Sequence, residues 1–153
     1  MLIRFGMGVE MEKISKIVFC LDRLKQALEI DNKHIIRFLR DGRNSSFLLK
    51  FRLSKELNYS VVEGQNAPTH LIDKFGRIWI VKTCTSISGV SFCSNSMIGS
   101  GRQYNAKKFI DSLNEKIAFL ICDVSNFPTI DIYESYSDEI KKLIEDGLIV
   151  SGR

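Results

Sequence analysis

Four side chains in the middle of the chain are of the types that do phosphate chemistry: Glu63, His70, Asp73 and Lys82. A carboxylate pair beside a lysine can hold a hard divalent cation through oxygen, while the ammonium stabilises charge on a phosphate. Each residue also has a plainer reading. Glu63 and Asp73 flank turns, where acids solvate the chain. A lone histidine is more often structural or solvent-facing than catalytic. Lys82 fits a phosphate contact or an exposed strand lysine as well as a catalytic role. Asp123 closes an apolar run and fits either a site at a strand end or a cap on the following turn.

A second group could bind phosphate without chemistry. Arg37, Arg40 and Arg43 recur every three residues. On a helix that spacing makes a basic stripe suited to a nucleic-acid backbone, with a solvated helix face as the alternative. Lys50, Arg52 and Lys55 extend the charge. In Gly99-Ser100-Gly101-Arg102, small residues sit beside an arginine able to fork onto a phosphate or a guanine. A surface loop is the competing reading there. Ser94, Asn95, Gln103 and Tyr104 add donors and acceptors nearby. Trp79 is the only tryptophan and reads as a packing residue rather than a stacking platform.

These residues need elements to hold them. Ile14, Ile17, Val18, Leu21, Leu24 and Leu28 recur at helical spacing, so a helix is expected over 14–28. Asp31 is the expected N-cap of a short helix bearing His34, Ile35, Phe38 and Leu39. Gly42 reads as a break, and Ser45 as the cap of a third helix. Period-two patterning then takes over. Strands are expected at 61–62, 70–73 and 77–84, the last two joined by the turn Lys74-Phe75-Gly76. Residues 89–102 read as a polar loop, with Val90 and Phe92 forming a brief strand. A helix capped by Asn105, a buried strand over 117–124, a turn at Phe127-Pro128, a strand over 129–133 and a last helix over 136–146 complete the chain. This order implies an α/β domain with a central mixed β-sheet flanked by helices.

The stretch from 42 to 82 resembles the PD-(D/E)XK superfamily, the restriction-endonuclease-like nucleases. Gly42-Arg43 with Ser46-Phe47 resembles its helix motif. His70-Leu71-Ile72-Asp73 resembles its first hairpin strand, and Trp79-Ile80-Val81-Lys82-Thr83 its second. The resemblance covers most of 42–146 and implies a restriction-endonuclease-like core, double-stranded DNA as partner and, in an active enzyme, Mg²⁺. The departures lie at the acids. Ser46, His70 and Ile80 stand where the family carries carboxylates, and only Lys82 remains. A DNA-binding but catalytically degenerate protein is therefore expected, either a non-cleaving subunit or a recognition module of a restriction-modification type, with no cofactor. An active Mg²⁺-dependent endonuclease using Asp73 and Glu63 as displaced acids with Lys82 is the alternative. A protein-interaction scaffold without nucleic acid is a third reading. A homodimer or a heteromeric partner fits either nuclease reading.

Composition bounds the rest. The chain has 153 residues, 44% hydrophobic, with 22 Lys and Arg against 18 Asp and Glu for a net charge of +4. That balance permits nucleic-acid binding without requiring it. No apolar run is long enough to span a bilayer, so no membrane partner is expected. Cys20, Cys84, Cys93 and Cys122 lie far apart with no C-x-x-C pair, which argues against zinc and for a reducing, cytoplasmic setting. Residues 1–10 read as a weakly structured extension, and 11–153 as one domain.

Overall fold

The computed structural model describes residues 2–4, 10–62, 70–85, 89–92, 103 and 105–148. Strands β1 (Leu2–Arg4) and β2 (Glu10–Val18) lead into helices α1 (Leu21–Leu28), α2 (Asn32–Leu39) and α3 (Gly42–Leu57). Strands β3 (Ser60–Val62), β4 (His70–Ile72) and β5 (Ile78–Cys84) follow, then α4 (Ala106–Ser112), β6 (Ile117–Asp123), β7 (Thr129–Tyr136) and α5 (Ser137–Glu145). The strands form one mixed sheet in the order β1-β2-β7-β6-β5-β4-β3. β5 and β6 run parallel, and every other neighbouring pair is antiparallel. Helix α4 makes the crossover that a parallel pair requires.

The register divides the sheet into two faces. Leu71, Trp79, Ala118 and Tyr136 lie in one row, and Val81, Leu120 and Glu134 in the next. This face packs on α2 and α3, where Ile35, Leu39, Leu49 and Leu53 complete its apolar core. The other face carries Phe119, Ile121 and Tyr133 and packs on Phe109 and Leu113 near α4, on Ile140 of α5 and on Phe92. Phe92 meets Phe119 edge-to-face with ring centroids 5.2 Å apart. Strand β6 is apolar on both sides because both layers cover it, as its continuous run of buried residues requires.

Two expectations are corrected here. The helix expected over 14–28 is a strand to Val18 and a helix only from Leu21. A bulge between Lys13 and Ser15 adds one residue, so Met11 and Ile17 join opposite cores. That slip turns alternation into the spacing 14, 17, 18, which imitates a helical period. Within the stretch read as a weakly structured extension, Leu2–Arg4 pairs antiparallel with Glu10, Met11 and Glu12. An extended β2 has an edge to offer, and β1 takes it. Val90 and Phe92 form no strand; a single bridge joins Thr85 to Gly89.

Gly42 does not break a helix but opens α3. Thr83 Oγ1 donates to the Gly42 carbonyl at 3.0 Å, holding the helix start against the end of β5. A Cβ on Gly42 would overlap Thr83 Oγ1 and lie 3.0 Å from Thr83 Cβ. Ser45, read as the cap, is instead buried inside the first turn and donates to the carbonyls of Asp41 and Gly42. Gly42→Ala is expected to cost about 1–3 kcal/mol, the usual range for overpacking. Urea unfolding of Gly42→Ala, Thr83→Ala and the double variant checks this. Thr83→Ala should recover most of the Gly42→Ala loss; additive losses would contradict the contact.

Candidate functional site

The hairpin residues singled out in sequence separate into two groups. Leu71 pairs with Trp79 and Ile72 with Ile78, so one step along the same register His70 falls across from Ile80. Lys82 lies two residues beyond Ile80 on that face. His70, Ile80 and Lys82 are all half-buried, and both His70 and Lys82 have polar or electrostatic partners. The three positions therefore share one sheet face. On the same face, Lys82 pairs in register with Ile121, and Cys84 with Asp123.

Asp73 is on the other face. Its Oδ1 accepts from the backbone N–H of Phe75 at 2.8 Å and of Arg77 at 3.0 Å, and its Oδ2 accepts from Trp79 Nε1 at 3.0 Å. Both oxygens thus shape the β4–β5 turn and anchor an inward-facing indole. The alternative in which Asp73 is a displaced acid beside Lys82 would need it on the other face. Three residues from His70, the strand period aims it away. Desolvation pushes its carboxyl upward, but the hydrogen bonds from Trp79, Arg77 and Phe75 and the Arg77 charge outweigh that and hold it below the ordinary value. A carboxylate lowered in the folded state stabilises fully above its unfolded value, and that stability fades as pH falls through the lower, folded value. Asp73→Asn should therefore destabilise near neutral pH and much less at about pH 3. Urea unfolding at both acidities checks this; an equal loss at both would contradict it.

Arg77 lies over the Tyr136 ring at 4.9 Å, and Tyr59 stacks on Trp79 at 5.7 Å. Glu134, on the same face, is pushed up by burial and by the neighbouring carboxylates of Glu12 and Glu139, with Arg77 opposing. Glu12 and Glu134 are direct cross-strand partners.

Sequence reading missed a second row on the Lys82 face. Asp123 of β6 pairs with Asp131 of β7, and Asp131 pairs with Lys16 of β2. Lys13 forms an ion pair with Asp131, which offsets the cross-strand repulsion between the two acids. Asp123 Oδ1 accepts from the Ser125 N–H at 2.9 Å, the turn-capping role weighed for it. The short link from 124 to 128 fixes this hairpin register, and it is the signal that could have placed Asp131. Burial and then Asp123 push the Cys84 thiol up to about 12, and burial raises Cys122 as well. Both are protonated core thiols, not nucleophiles.

Mg²⁺ demands oxygen ligands. The row His70, Ile80 and Lys82 offers an imidazole, an alkyl chain and an ammonium, so it does not fit that ion. Among the described residues no group of three or more His, Cys, Asp or Glu is placed to hold a metal. Glu63, Ser94, Asn95, Ser100, Arg102 and Tyr104 lie outside the described residues. Gln103 is exposed.

Arg37 and Arg40 are exposed on α2 and its C-cap, in the layer behind the Trp79 face. Arg43 is in the first turn of α3. Arg37 and Arg40 thus lie on the opposite side of the sheet from Lys82: α3 packs on β5 from the side of Thr83 and Trp79, and Lys82 points to the other. The sign of the helical layer is plain. Residues 32–57 hold seven Lys and Arg against two acids, a net of +5, more than the +4 of the whole chain. Lys50 does not belong to the outer surface; it is half-buried, and desolvation lowers its pKa. No family model, curated protein or solved structure matches this chain. Function therefore rests on the site alone.

Proposed function

We propose that the chain is a DNA-binding protein with a restriction-endonuclease-like core that does not cleave. The observation that carries this reading is the row of His70, Ile80 and Lys82 on one sheet face, with an alkyl chain where a metal-binding acid would stand. The order α3-β3-β4-β5-α4-β6, a helix, three antiparallel strands, a crossover helix and a parallel strand, supports the same core. The segregation of positive charge onto α2 and α3 supports the binding surface, because phosphate contacts supply most non-specific affinity. Arg37 and Arg40 contact the backbone, and Lys82 is a basic remnant of the nuclease row. On this reading the domain acts as a recognition or non-cleaving subunit.

The test is incubation of the chain with plasmid and varied linear duplexes in the presence of Mg²⁺. The DNA should stay intact. Robust cleavage that Lys82→Ala abolishes would overturn the reading.

A further inference from the structure

We propose that the basic outer face of α2 and α3 takes unpaired nucleic acid, with bases stacking on Phe38 and Phe47. The inference rests on the nucleic-acid reading above and narrows its ligand. Phe38 is 57% exposed and Phe47 59% exposed, while the inward residues Ile35, Leu39, Leu49 and Leu53 are buried. A single exposed phenyl is unremarkable, but here two exposed rings lie on adjoining helices that carry most of the excess positive charge. Lys33, Arg37 and Arg40 are exposed on α2 and at its C-cap, the helix that carries Phe38, and Arg52 and Lys55 are exposed further along α3, the helix that carries Phe47.

The two helices are tied at this surface. The Asn44 amide donates to the Phe38 carbonyl at 3.2 Å, joining the end of α2 to the first turn of α3. Phe47 is three residues beyond Asn44, one turn along the same face. Its ring is braced edge-to-face by Phe51, with centroids 4.9 Å apart.

Exposed rings interleaved with Lys and Arg are what a single strand uses. Successive bases stack on aromatic faces while cations follow the backbone, with little dependence on sequence. Bases inside a duplex are already stacked and give such rings little to hold. Charge complementarity selects a polyanion for this face. A second copy of the chain would set one basic face against another, which opposes self-association here.

The experiment is an anisotropy titration with a short labelled single strand of mixed sequence and with its duplex. The single strand should bind more tightly than the duplex. Phe38→Ala with Phe47→Ala should weaken single-strand binding roughly tenfold or more and leave duplex binding unchanged. Phe47→Leu keeps apolar bulk and should also weaken it, whereas Phe47→Trp should preserve it. Single-strand binding unmoved by the Phe substitutions would overturn the inference. Poly-glutamate competing equally well would assign the face to an acidic protein, and dimerisation lost in the Phe variants would assign it to a second copy; either overturns it. Duplex binding without single-strand binding sinks this inference alone. Failure of both ligands to bind the unaltered chain sinks the nucleic-acid reading as well.

Discussion

Replacing Trp79 by alanine is expected to lower folding stability by about 3–5 kcal/mol, the usual cost of deleting a large buried aromatic. Trp79 is 2% exposed and lies in the central part of the sheet face covered by α3. Its ring stacks on Tyr59 and meets Tyr136 edge-on at 5.7 Å. Its Nε1–H is one of the donors to Asp73. Deletion therefore opens a cavity and also strips a partner from a carboxylate that holds the β4–β5 turn. Whole domains are stable by only about 5–15 kcal/mol, so this single change removes a large fraction of the total. Urea unfolding followed by circular dichroism checks it, since the only tryptophan is lost with the substitution. Trp79→Phe, which keeps most of the ring but not the donor, should cost less and remain folded. A Trp79→Ala loss under about 1 kcal/mol would contradict the packing described.

The same residue shows how far the sequence could be read. Alternation from Ile78 to Cys84, the turn glycine at Gly76 and the Asn105 cap are local signals, and the hairpin, the α4 start and the buried β6 follow from them. The inward role of Trp79 was legible too, from its place in an apolar strand. The partnership of Asp73 with Trp79 was not, because it depends on which side of the turn each side chain leaves. β2 was misread because a bulge breaks its period, and bulges depend on the partner strand, β7. The start of α3 at Gly42 was hidden for a similar reason: the glycine answers to Thr83, forty-one residues away, rather than to its neighbours. The charge stripe at Arg37 and Arg40 was visible in spacing, but its separation from Lys82 by the thickness of the sheet emerges only from the fold.

Reversing two charges on that layer should have the largest effect on binding. Arg37→Glu with Arg40→Glu removes two exposed cations and adds two anions on the surface that carries the excess charge. Hydrogen bonds to charged groups contribute roughly 1.5–3 kcal/mol each, and about 1.4 kcal/mol is a factor of ten in affinity. The double variant should therefore bind duplex at least about 100-fold more weakly at equal salt. Both side chains are solvent-exposed, so thermal stability should change little, as is usual for surface substitutions. Reversing Lys107 and Lys108, both exposed on α4 behind the opposite face, is the matched control and should weaken binding far less. Equal effects from the two pairs would contradict the assignment of the surface.

The most direct measurement is duplex affinity of the unaltered chain as a function of salt, with Mg²⁺ present and the DNA recovered afterwards. If Lys33, Arg37, Arg40 and Lys55 each neutralise one phosphate, log affinity should fall with log salt at a slope of about −3.6, reduced to about −1.8 in Arg37→Glu with Arg40→Glu. The recovered DNA should be uncut. A slope near zero, or no binding even at low salt, would contradict the proposed DNA binding through α2 and α3, and cut DNA would contradict the proposal that the chain does not cleave.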